Sequence, residues 1–243
     1  MLFRSCGAGI PAANSSDISS DGVSYKVCVE LSDNAGNPKA YGASSAFVYD
    51  NSAPVFTSLV LANDASDGYI NLAEHSLTTD IAGPLVASGQ SSVQYALVAS
   101  ATTGGFPLTW TASIPKANDS LFTSVGDYKV CVQLTDAAGN SSYGSSPVVT
   151  YDNVAPVFTS ITLANGASDT YINTADSSSA LAMVGSLVAS GQTSTGYKVV
   201  LSTATCSTES SYSASVPAGS AFAALNGDYK VCVELSDDAG NKT

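Results

Sequence analysis

Five cysteines are the residues with the clearest chemistry in this chain. Cys28, Cys131 and Cys232 follow the same Tyr-Lys-Val tripeptide in three related segments. Cys6 precedes Cys28 by 22 residues and Cys206 precedes Cys232 by 26, whereas a glycine stands at the corresponding place before Cys131. Because these cysteines occur together in pairs, we predict the disulfides Cys6–Cys28 and Cys206–Cys232, an oxidising compartment, and Cys131 as a free thiol. Buried reduced cysteines are the alternative.

Catalytic chemistry is weakly indicated, because His75 is the single histidine. Any Ser-His-Asp or Cys-His arrangement would depend on it, and the related segment has Ser177 at the same place. We interpret His75 as a solvated loop residue. The sequence contains no glycine-rich phosphate loop, zinc-ligand spacing or other catalytic motif, so we expect no catalytic residues and no enzyme. Trp110 could stack on a sugar ring, although an aromatic residue in an alternating strand more often belongs to the core.

The charge balance argues against two classes of partner. The 243 residues include 20 acidic and 8 basic side chains, which give a formal net charge of −12. This excess repels nucleic acid and anionic membrane surfaces, and it suits divalent cations. No apolar run reaches the length of about 18 residues that a membrane-spanning helix requires. We therefore expect neither nucleic-acid binding nor membrane insertion.

A long internal repeat positions these residues. Tyr25, Tyr128 and Tyr229 begin three copies of one block and are 103 and 101 residues apart, which predicts tandem domains. Two segments with the pattern Asp-Asn-x-Ala-Pro, Asp50–Pro54 and Asp152–Pro156, are the predicted boundaries and are called the first and second linkers below. The predicted organisation is the C-terminal half of a repeat (1–50), a complete repeat (54–153), and a repeat that lacks its last strand (154–243).

Within each repeat the pattern predicts strands. In Tyr128–Leu134, tyrosine, valine and leucine alternate with lysine, cysteine and glutamine, which is typical of a strand with one face toward a core. Turns follow at short intervals, and only Tyr69–Ile81 and Tyr171–Ala182 could hold a helical turn. About seven short strands in each repeat predict an all-β, two-sheet sandwich. The alternation places the cysteines on the outer face of a sheet, toward a neighbouring strand or loop.

Four sequence elements follow one another in an order known from one family. They are Asp-Gly-Tyr-Ile-Asn-Leu-Ala-Glu (67–74), Leu-Val-Ala-Ser-Gly (85–89), Leu-Thr-Trp-Thr-Ala-Ser-Ile-Pro (108–115), and Asp-Tyr-Lys-Val leading into Asp-Ala-Ala-Gly-Asn (136–140). This order resembles the bacterial Ig-like repeats of giant surface adhesins, of the biofilm-associated and type I-secreted kind. The resemblance covers the middle and last repeats and the first half-repeat from Cys6 onward. It implies tandem immunoglobulin-like sandwiches that form rods, with calcium stiffening their junctions.

Carboxylates near the linkers are the residues that such calcium would use, because calcium takes roughly six to eight oxygen ligands. The candidates at the first linker are Asp33, Asp50, Asp67 and Glu74, and those at the second are Asp136, Asp152, Asp169 and Asp176. Asp67 and Asp169 are 102 residues apart, as are Glu74 and Asp176. Plain turn chemistry is the alternative for Asp-x-Ala-Gly-Asn, because its Asp and Asn accept backbone hydrogen bonds and its Gly adopts a positive φ.

Together these features predict a non-catalytic structural segment of an extracellular adhesin at the bacterial cell surface. Its partners would be neighbouring Ig-like repeats of the same or a longer chain. An alternative is a subunit of a self-assembling surface filament or layer, which would associate by strand exchange between incomplete terminal domains. A further alternative, a carbohydrate-binding module, depends on Trp110.

Overall fold

The computed structural model describes residues 10–101, 109–223 and 226–243. Its strands confirm the predicted all-β fold. The strands are β1 (Val23–Tyr25), β2 (Cys28–Leu31), β3 (Ala40–Ala43), β4 (Phe47–Tyr49), β5 (Val55–Leu61), β6 (Tyr69–Ile70), β7 (Ala82–Ser88), β8 (Ser92–Ala99), β9 (Gly126–Thr135), β10 (Ser141–Ser145), β11 (Val149–Tyr151), β12 (Val157–Leu163), β13 (Val184–Ser190), β14 (Ser194–Leu201) and β15 (Tyr229–Ser236).

Short helical turns connect the strands. One-turn helices occur inside both segments that the sequence favoured, as a 3₁₀ turn at Glu74–Ser76 and as α1 at Thr174–Ser177. The expectation that only these segments hold helical turns was wrong. Further 3₁₀ turns lie at Asn63–Ala65, Asn165–Ala167, Cys206–Thr208 and Gly219–Phe222.

The middle repeat contains two sheets. β5 pairs with β7 in one sheet. In the other, β9 pairs with β8, β10 and β11, and β11 also pairs in parallel with β6. Along β9 the predicted face is buried, with Val130, Val132 and Leu134 each 0% exposed. Cys131, on the opposite face, is buried as well, so both faces of this strand are covered.

In two repeats a serine separates two consecutive strands: Ser146 lies between β10 and β11, and Ser44 lies between β3 and β4. Between β10 and β11, the Ser146 hydroxyl accepts a hydrogen bond from the Val130 backbone N–H at 3.0 Å, and the Ser146 N–H donates to the Val130 carbonyl at 2.9 Å. Ser44 makes the same two bonds to Val27 between β3 and β4, at 3.0 and 2.9 Å. The side chain thus satisfies a backbone donor where the ladder is broken.

The chain forms two compact units. The first comprises the chain up to Ser58, with Val86–Gln94 and Val132–Gly144; the second comprises Leu59–Leu85, Tyr95–Cys131 and Ser145–Thr243. The first linker therefore lies in the first unit, together with the turn Asp136–Asn140. The second linker lies in the second unit, together with the turn Asp237–Asn241. No helix in the described ranges is long and apolar enough to cross a membrane.

Candidate inter-repeat junction

The Asp-Ala-Ala-Gly-Asn turn after β9 is organised by the carboxylate of Asp136. Its Oδ1 accepts hydrogen bonds from the backbone N–H groups of Ala138, Gly139 and Asn140 at 2.9, 2.8 and 2.9 Å. Gly139 adopts φ +97°, a conformation that favours glycine. The pKa of Asp136 is held below its ordinary value. The hydrogen bond from the Asn140 side-chain amide contributes most to this lowering, and the backbone N–H groups add to it.

The Asn140 side chain joins this turn to the first linker by a hydrogen bond. Its side-chain Nδ2 donates to Asp136 Oδ2 at 2.9 Å and to the backbone carbonyl of Asp50 at 3.0 Å. An amide NH₂ has two hydrogens, so both are used. The turn of the middle repeat is thereby attached to the linker that precedes that repeat.

Asn241 makes a more extensive junction at the second linker. Its Nδ2 donates to Asp237 Oδ2 at 3.0 Å and to the backbone carbonyl of Asp152 at 2.9 Å. Its Oδ1 accepts a hydrogen bond from the backbone N–H of Leu72 at 3.1 Å. Because Asn241 is only 5% exposed, one buried side chain joins the turn of the last repeat, the linker, and a loop of the middle repeat.

The loop that receives Asn241 is held by Asn71 and Glu74. Asn71 Oδ1 accepts from the backbone N–H groups of Ala73 and Glu74, at 2.9 and 3.0 Å, and Glu74 Oε2 accepts from the Asn71 N–H at 2.9 Å. This reciprocal pattern is a capping box. Asn71 Nδ2 then donates to the carbonyl of Ala239 at 2.9 Å, a second direct bond to the turn of the last repeat.

The last repeat contains a copy of this loop. Asn173 Oδ1 accepts from the N–H groups of Ala175 and Asp176, at 2.8 and 3.1 Å, and Asp176 Oδ2 accepts from the Asn173 N–H at 3.1 Å. The two loops are 102 residues apart, in step with the repeat.

The candidate calcium ligands are grouped differently from the sequence hypothesis. Asp136 lies at the first linker with Asp50, whereas Glu74 lies near the second linker with Asp152. Each of the eight carboxylates accepts a backbone hydrogen bond in its own loop. The acceptor–donor pairs are Asp33–Ala35, Asp50–Ser52, Asp67–Tyr69, Glu74–Asn71, Asp136–Ala138, Asp152–Val154, Asp169–Tyr171 and Asp176–Asn173. Within the described ranges, no three His, Cys, Asp or Glu side chains are arranged to hold a metal ion.

Negative charge nevertheless accumulates beside the Asn71 loop. The pKa of Glu74 is raised above its ordinary value, chiefly because the carboxyl is partly buried and further because Asp67 and Asp64 lie near it. The hydrogen bond from Asn71 acts in the opposite direction. The charge of this group is thus only partly compensated by the protein.

Cys131 and Cys232 lie at equivalent positions of β9 and β15, on the face opposite that of the neighbouring valines. Cys206 and Cys232 form a disulfide across 26 residues, and Cys206 lies in the 3₁₀ turn Cys206–Thr208, so the bridge ties a loop to β15. Cys131 is a buried free thiol whose pKa is raised by burial. Cys28 has no disulfide partner among the described residues, and Cys6, its predicted partner, lies outside them.

His75 and Trp110, which the sequence analysis considered for catalysis and for sugar binding, are both partly buried. The expectation of a solvated His75 was wrong, because its ring lies 4.9 Å from that of Tyr151 and 6.0 Å from that of Phe122. Its Nε2 is buried and has no hydrogen-bond partner in the described structure. Trp110 is half-buried, so it does not offer the fully solvent-facing platform that sugar stacking requires.

Sequence reasoning missed the asparagines as junction residues. It assigned importance to the carboxylates and treated the asparagine of Asp-x-Ala-Gly-Asn as part of a turn. A signal was present, because Asn37, Asn140 and Asn241 end all three copies and Asn71 recurs as Asn173. Only the side-chain positions reveal that these amides bridge separate segments.

One family model matches the C-terminal part of the chain. Residues 160–243 match the family described as bacterial Ig-like domain. A search of curated proteins found no match.

Two solved structures are similar to the chain. One is a Ca²⁺-stabilised adhesin that helps an Antarctic bacterium to reach out and bind ice; it is 22% identical, with a TM-score of 0.45, over 90% of this chain and 54% of that one. The other is N-cadherin EC1-4 from Drosophila, 16% identical, with a TM-score of 0.34, over 92% of this chain and 56% of that one. The chain therefore spans little more than half the length of either structure.

Proposed function

We propose that this chain, whose residues 160–243 match the bacterial Ig-like domain family, is a non-catalytic structural segment of an extracellular adhesin at the bacterial surface. In this proposal the repeats space a distant adhesive region from the cell, and hydrogen bonds at the linkers limit bending. The observation that carries the proposal is the buried Asn241 side chain, which joins a turn, a linker and a loop.

The physical argument concerns what bending at the second linker would break. Rotation there would separate Asn241 from Leu72 and Asn71 from Ala239, because each bond joins the last repeat to a loop of the middle repeat. A buried polar group that loses its partner costs about 1–3 kcal/mol. Resistance to bending is a property that a spacer requires, and it needs no catalytic group.

Prolines support the same interpretation. Pro54 and Pro156 end the two linkers, and both are buried. Each lies against a glycine of a neighbouring turn: a Cβ added to Gly89 would lie 3.7 Å from the Pro54 Cα, and one added to Gly191 would lie 3.6 Å from the Pro156 Cα. Proline fixes its own φ and restricts the residue before it, so the linkers have little torsional freedom.

Calcium enters this proposal through the family resemblance rather than through a preformed site. The carboxylates accept bonds in separate loops, so the donor set does not fit a complete calcium cage. An added cation near Glu74 would have a favourable effect, because Asp67 and Asp64 lie close to its carboxyl. Direct hydrogen bonds therefore carry the proposed stiffness.

Small-angle X-ray scattering of the full chain tests the proposal. We expect the double variant Asn71→Ala/Asn241→Ala to broaden the distribution of interatomic distances, because both direct bonds across the second linker are lost. The matched control is Asn37→Ala, because the Asn37 side chain bonds within its own turn, to Asp33. Unchanged scattering in the double variant would contradict the proposed stiffening. Measurements in millimolar calcium and after chelation would show separately whether calcium contributes.

A further inference from the structure

The loop that receives the turn of the last repeat is attached to the second linker at two places. Its start follows β6, where Ile70 lies opposite Tyr151 and its carbonyl accepts a hydrogen bond from the Asp152 N–H at 3.0 Å. Its end is the 3₁₀ turn Glu74–Ser76, where the ring of His75 lies against that of Tyr151. Backbone bonds thus hold the start of the loop, and an aromatic contact holds its end.

His75 belongs to a cluster of four aromatic rings. Its ring centroid lies 4.9 Å from that of Tyr151 and 6.0 Å from that of Phe122. Phe122 in turn lies 5.3 Å from Tyr151 and 4.9 Å from Tyr128. Tyr151, Phe122 and Tyr128 are all buried in the middle repeat, so His75 rests on partners that are themselves fixed. Aromatic contacts of this kind stabilise beyond the area that they bury.

The cluster continues into the second linker through Tyr151. The hydroxyl of this tyrosine accepts a hydrogen bond from Asn153 Nδ2 at 3.1 Å. The same contact between a tyrosine and an asparagine occurs at the first linker, where Asn51 Nδ2 donates to the Tyr49 hydroxyl at 3.4 Å. The tyrosine is therefore a shared feature of the two linkers, and the contact with His75 connects it to the loop as well.

These contacts form a closed circuit around the second linker. The backbone N–H of His75 donates to the Asn71 carbonyl at 2.9 Å, and Asn71 Nδ2 donates to the Ala239 carbonyl at 2.9 Å. The circuit returns through Asn241 Nδ2, which donates to the Asp152 carbonyl at 2.9 Å, and then through the linker to the aromatic cluster. Because the circuit is closed, rotation at the linker must break at least one of its contacts.

We propose that His75 is the positioning residue of this junction. Its ring fixes the end of the Asn71 loop to the strand that enters the second linker, and it thereby orients the Leu72 N–H toward Asn241. This role rests on the proposed spacer function, because the orientation of the loop matters only if the loop stiffens the linker. The role needs the ring and not the imidazole nitrogen, since Nε2 is buried and has no hydrogen-bond partner in the described structure.

The last repeat shows that a loop of this shape forms without the ring. Ser177 stands at the place of His75. Ala223 stands at the place of Phe122, four residues before the glycine of the shared Gly-Asp-Tyr. The loop of the last repeat nevertheless forms the same capping box. The capping box therefore gives the loop its local shape, and the ring of His75 gives it a fixed orientation relative to the linker.

Two substitutions of His75 in the full chain separate the ring from its nitrogen. His75→Ala removes the ring, whereas His75→Phe keeps a flat ring and removes the buried nitrogen that lacks a partner. The matched control is Ser177→Ala at the equivalent position of the last repeat, because the Ser177 hydroxyl bonds within its own turn, to the Thr174 carbonyl at 3.1 Å. Circular dichroism verifies that each variant folds.

Native-state hydrogen exchange of two amides is the measurement. The Leu72 amide donates to Asn241 across the second linker, so its exchange rate reports on the junction. The Val130 amide donates to the Ser146 hydroxyl inside the sandwich, so its exchange rate reports on the stability of the middle repeat. A side chain that only fills the core would change the Val130 rate and leave the Leu72 rate as it is.

We expect His75→Ala to accelerate exchange of the Leu72 amide at least about tenfold, and His75→Phe and Ser177→Ala to leave it within about twofold of the wild-type rate. In a chain that already carries Asn241→Ala, the further change His75→Ala should alter the Leu72 rate less than about threefold, because the bond that the ring positions is absent. Acceleration at Val130 without acceleration at Leu72 would overturn the proposal. So would a His75→Phe variant whose Leu72 amide exchanges as fast as that of His75→Ala.

Failure of this role and failure of the spacer function give different results. If Asn71→Ala/Asn241→Ala scatters X-rays as the wild-type chain does, the spacer function is wrong, whatever the substitutions of His75 do. If that double variant broadens the distance distribution while the Leu72 amide does not respond to His75→Ala, only the role of His75 is wrong. With both proposals correct, His75→Ala broadens the distance distribution in the same direction as the double variant, and His75→Phe leaves it unchanged.

Discussion

Replacement of Asn241 by alanine is the most direct perturbation of the second linker. The substitution removes three hydrogen bonds: one to the Asp152 carbonyl at 2.9 Å, one to the Asp237 carboxylate at 3.0 Å, and one from the Leu72 N–H at 3.1 Å. A neutral hydrogen bond contributes about 1 kcal/mol and one to a charged group about 2 kcal/mol. Water can reach part of this site, because Leu72 is 60% exposed. The three bonds would together contribute about 4 kcal/mol, and access of water lowers the expected loss of local stability to about 3 kcal/mol.

The three equivalent asparagines form a graded series. Asn140 makes the bonds to its aspartate and its linker carbonyl but has no counterpart of the Leu72 bond among the described contacts. It is also only half-buried, so water replaces part of the lost interaction and Asn140→Ala should cost about 2 kcal/mol. Asn37 lies in an exposed turn and its side chain bonds to Asp33, so Asn37→Ala should cost less than about 1 kcal/mol. The expected order of destabilisation is Asn241, then Asn140, then Asn37.

Native-state hydrogen exchange is the appropriate assay, because it measures each site separately and does not require the whole chain to unfold in one step. The Leu72 amide donates directly to Asn241, so it reports on the perturbed bond. A loss of about 3 kcal/mol corresponds to exchange that is faster by about 100-fold. In Asn37→Ala the Leu72 amide should exchange at the wild-type rate.

Equal destabilisation by all three alanine substitutions would refute this reasoning, because it would show that the asparagines act only within their own turns. An unchanged Leu72 exchange rate in Asn241→Ala would refute it more directly. A double-mutant cycle between Asn71 and Asn241 adds a further constraint. The two residues make neighbouring bonds across the linker, so their effects should couple by about 0.5 kcal/mol or more.

Three other predictions concern the cysteines and the acid sensitivity of the turn Asp136–Asn140. Replacement of both Cys206 and Cys232 by serine should lower the unfolding free energy of the last repeat by about 3 kcal/mol, measured by chemical denaturation. The pKa of Asp136 is held below its ordinary value, so its carboxylate contributes stability that is present above about pH 4 and is lost as pH falls through the folded pKa. Asp136→Asn should therefore flatten the decline in stability below about pH 4, and an unchanged slope would contradict the assigned cause. Cys131 should react with iodoacetamide at pH 8 much more slowly than a denatured control, as read by peptide mapping, because burial raises its pKa and restricts access.

Several aspects of the fold could be predicted because they depend on local pattern. The alternation in Tyr128–Leu134 identified a strand with one face in the core, and the Val130, Val132 and Leu134 side chains are buried there. The segment that contains Asn173 was identified as a place for a helical turn, which is α1. Side-chain period and turn composition are properties of a few neighbouring residues, so they are visible in one chain.

The grouping of the site residues could not be predicted in the same way. The sequence hypothesis placed Asp33 with Asp50, because both precede the middle repeat in the chain. The structure instead brings the turn of Asp136 to Asp50 and that of Asp237 to Asp152, because each turn lies at the end of its repeat where that repeat's own linker enters. Which turn meets which linker depends on the order and direction of the strands in the folded repeat, and the order of residues in the sequence does not show it.

The sequence by itself determined the repeat, the all-β character and the residues available at each linker, because periodicity and turn chemistry are local. The tertiary structure decided what those residues do. It buried Asn241 between three segments and brought the turn of Asp136 to the linker residue Asp50. These outcomes arise from contacts between residues that are about 90 to 170 positions apart, and only packing determines which distant groups meet.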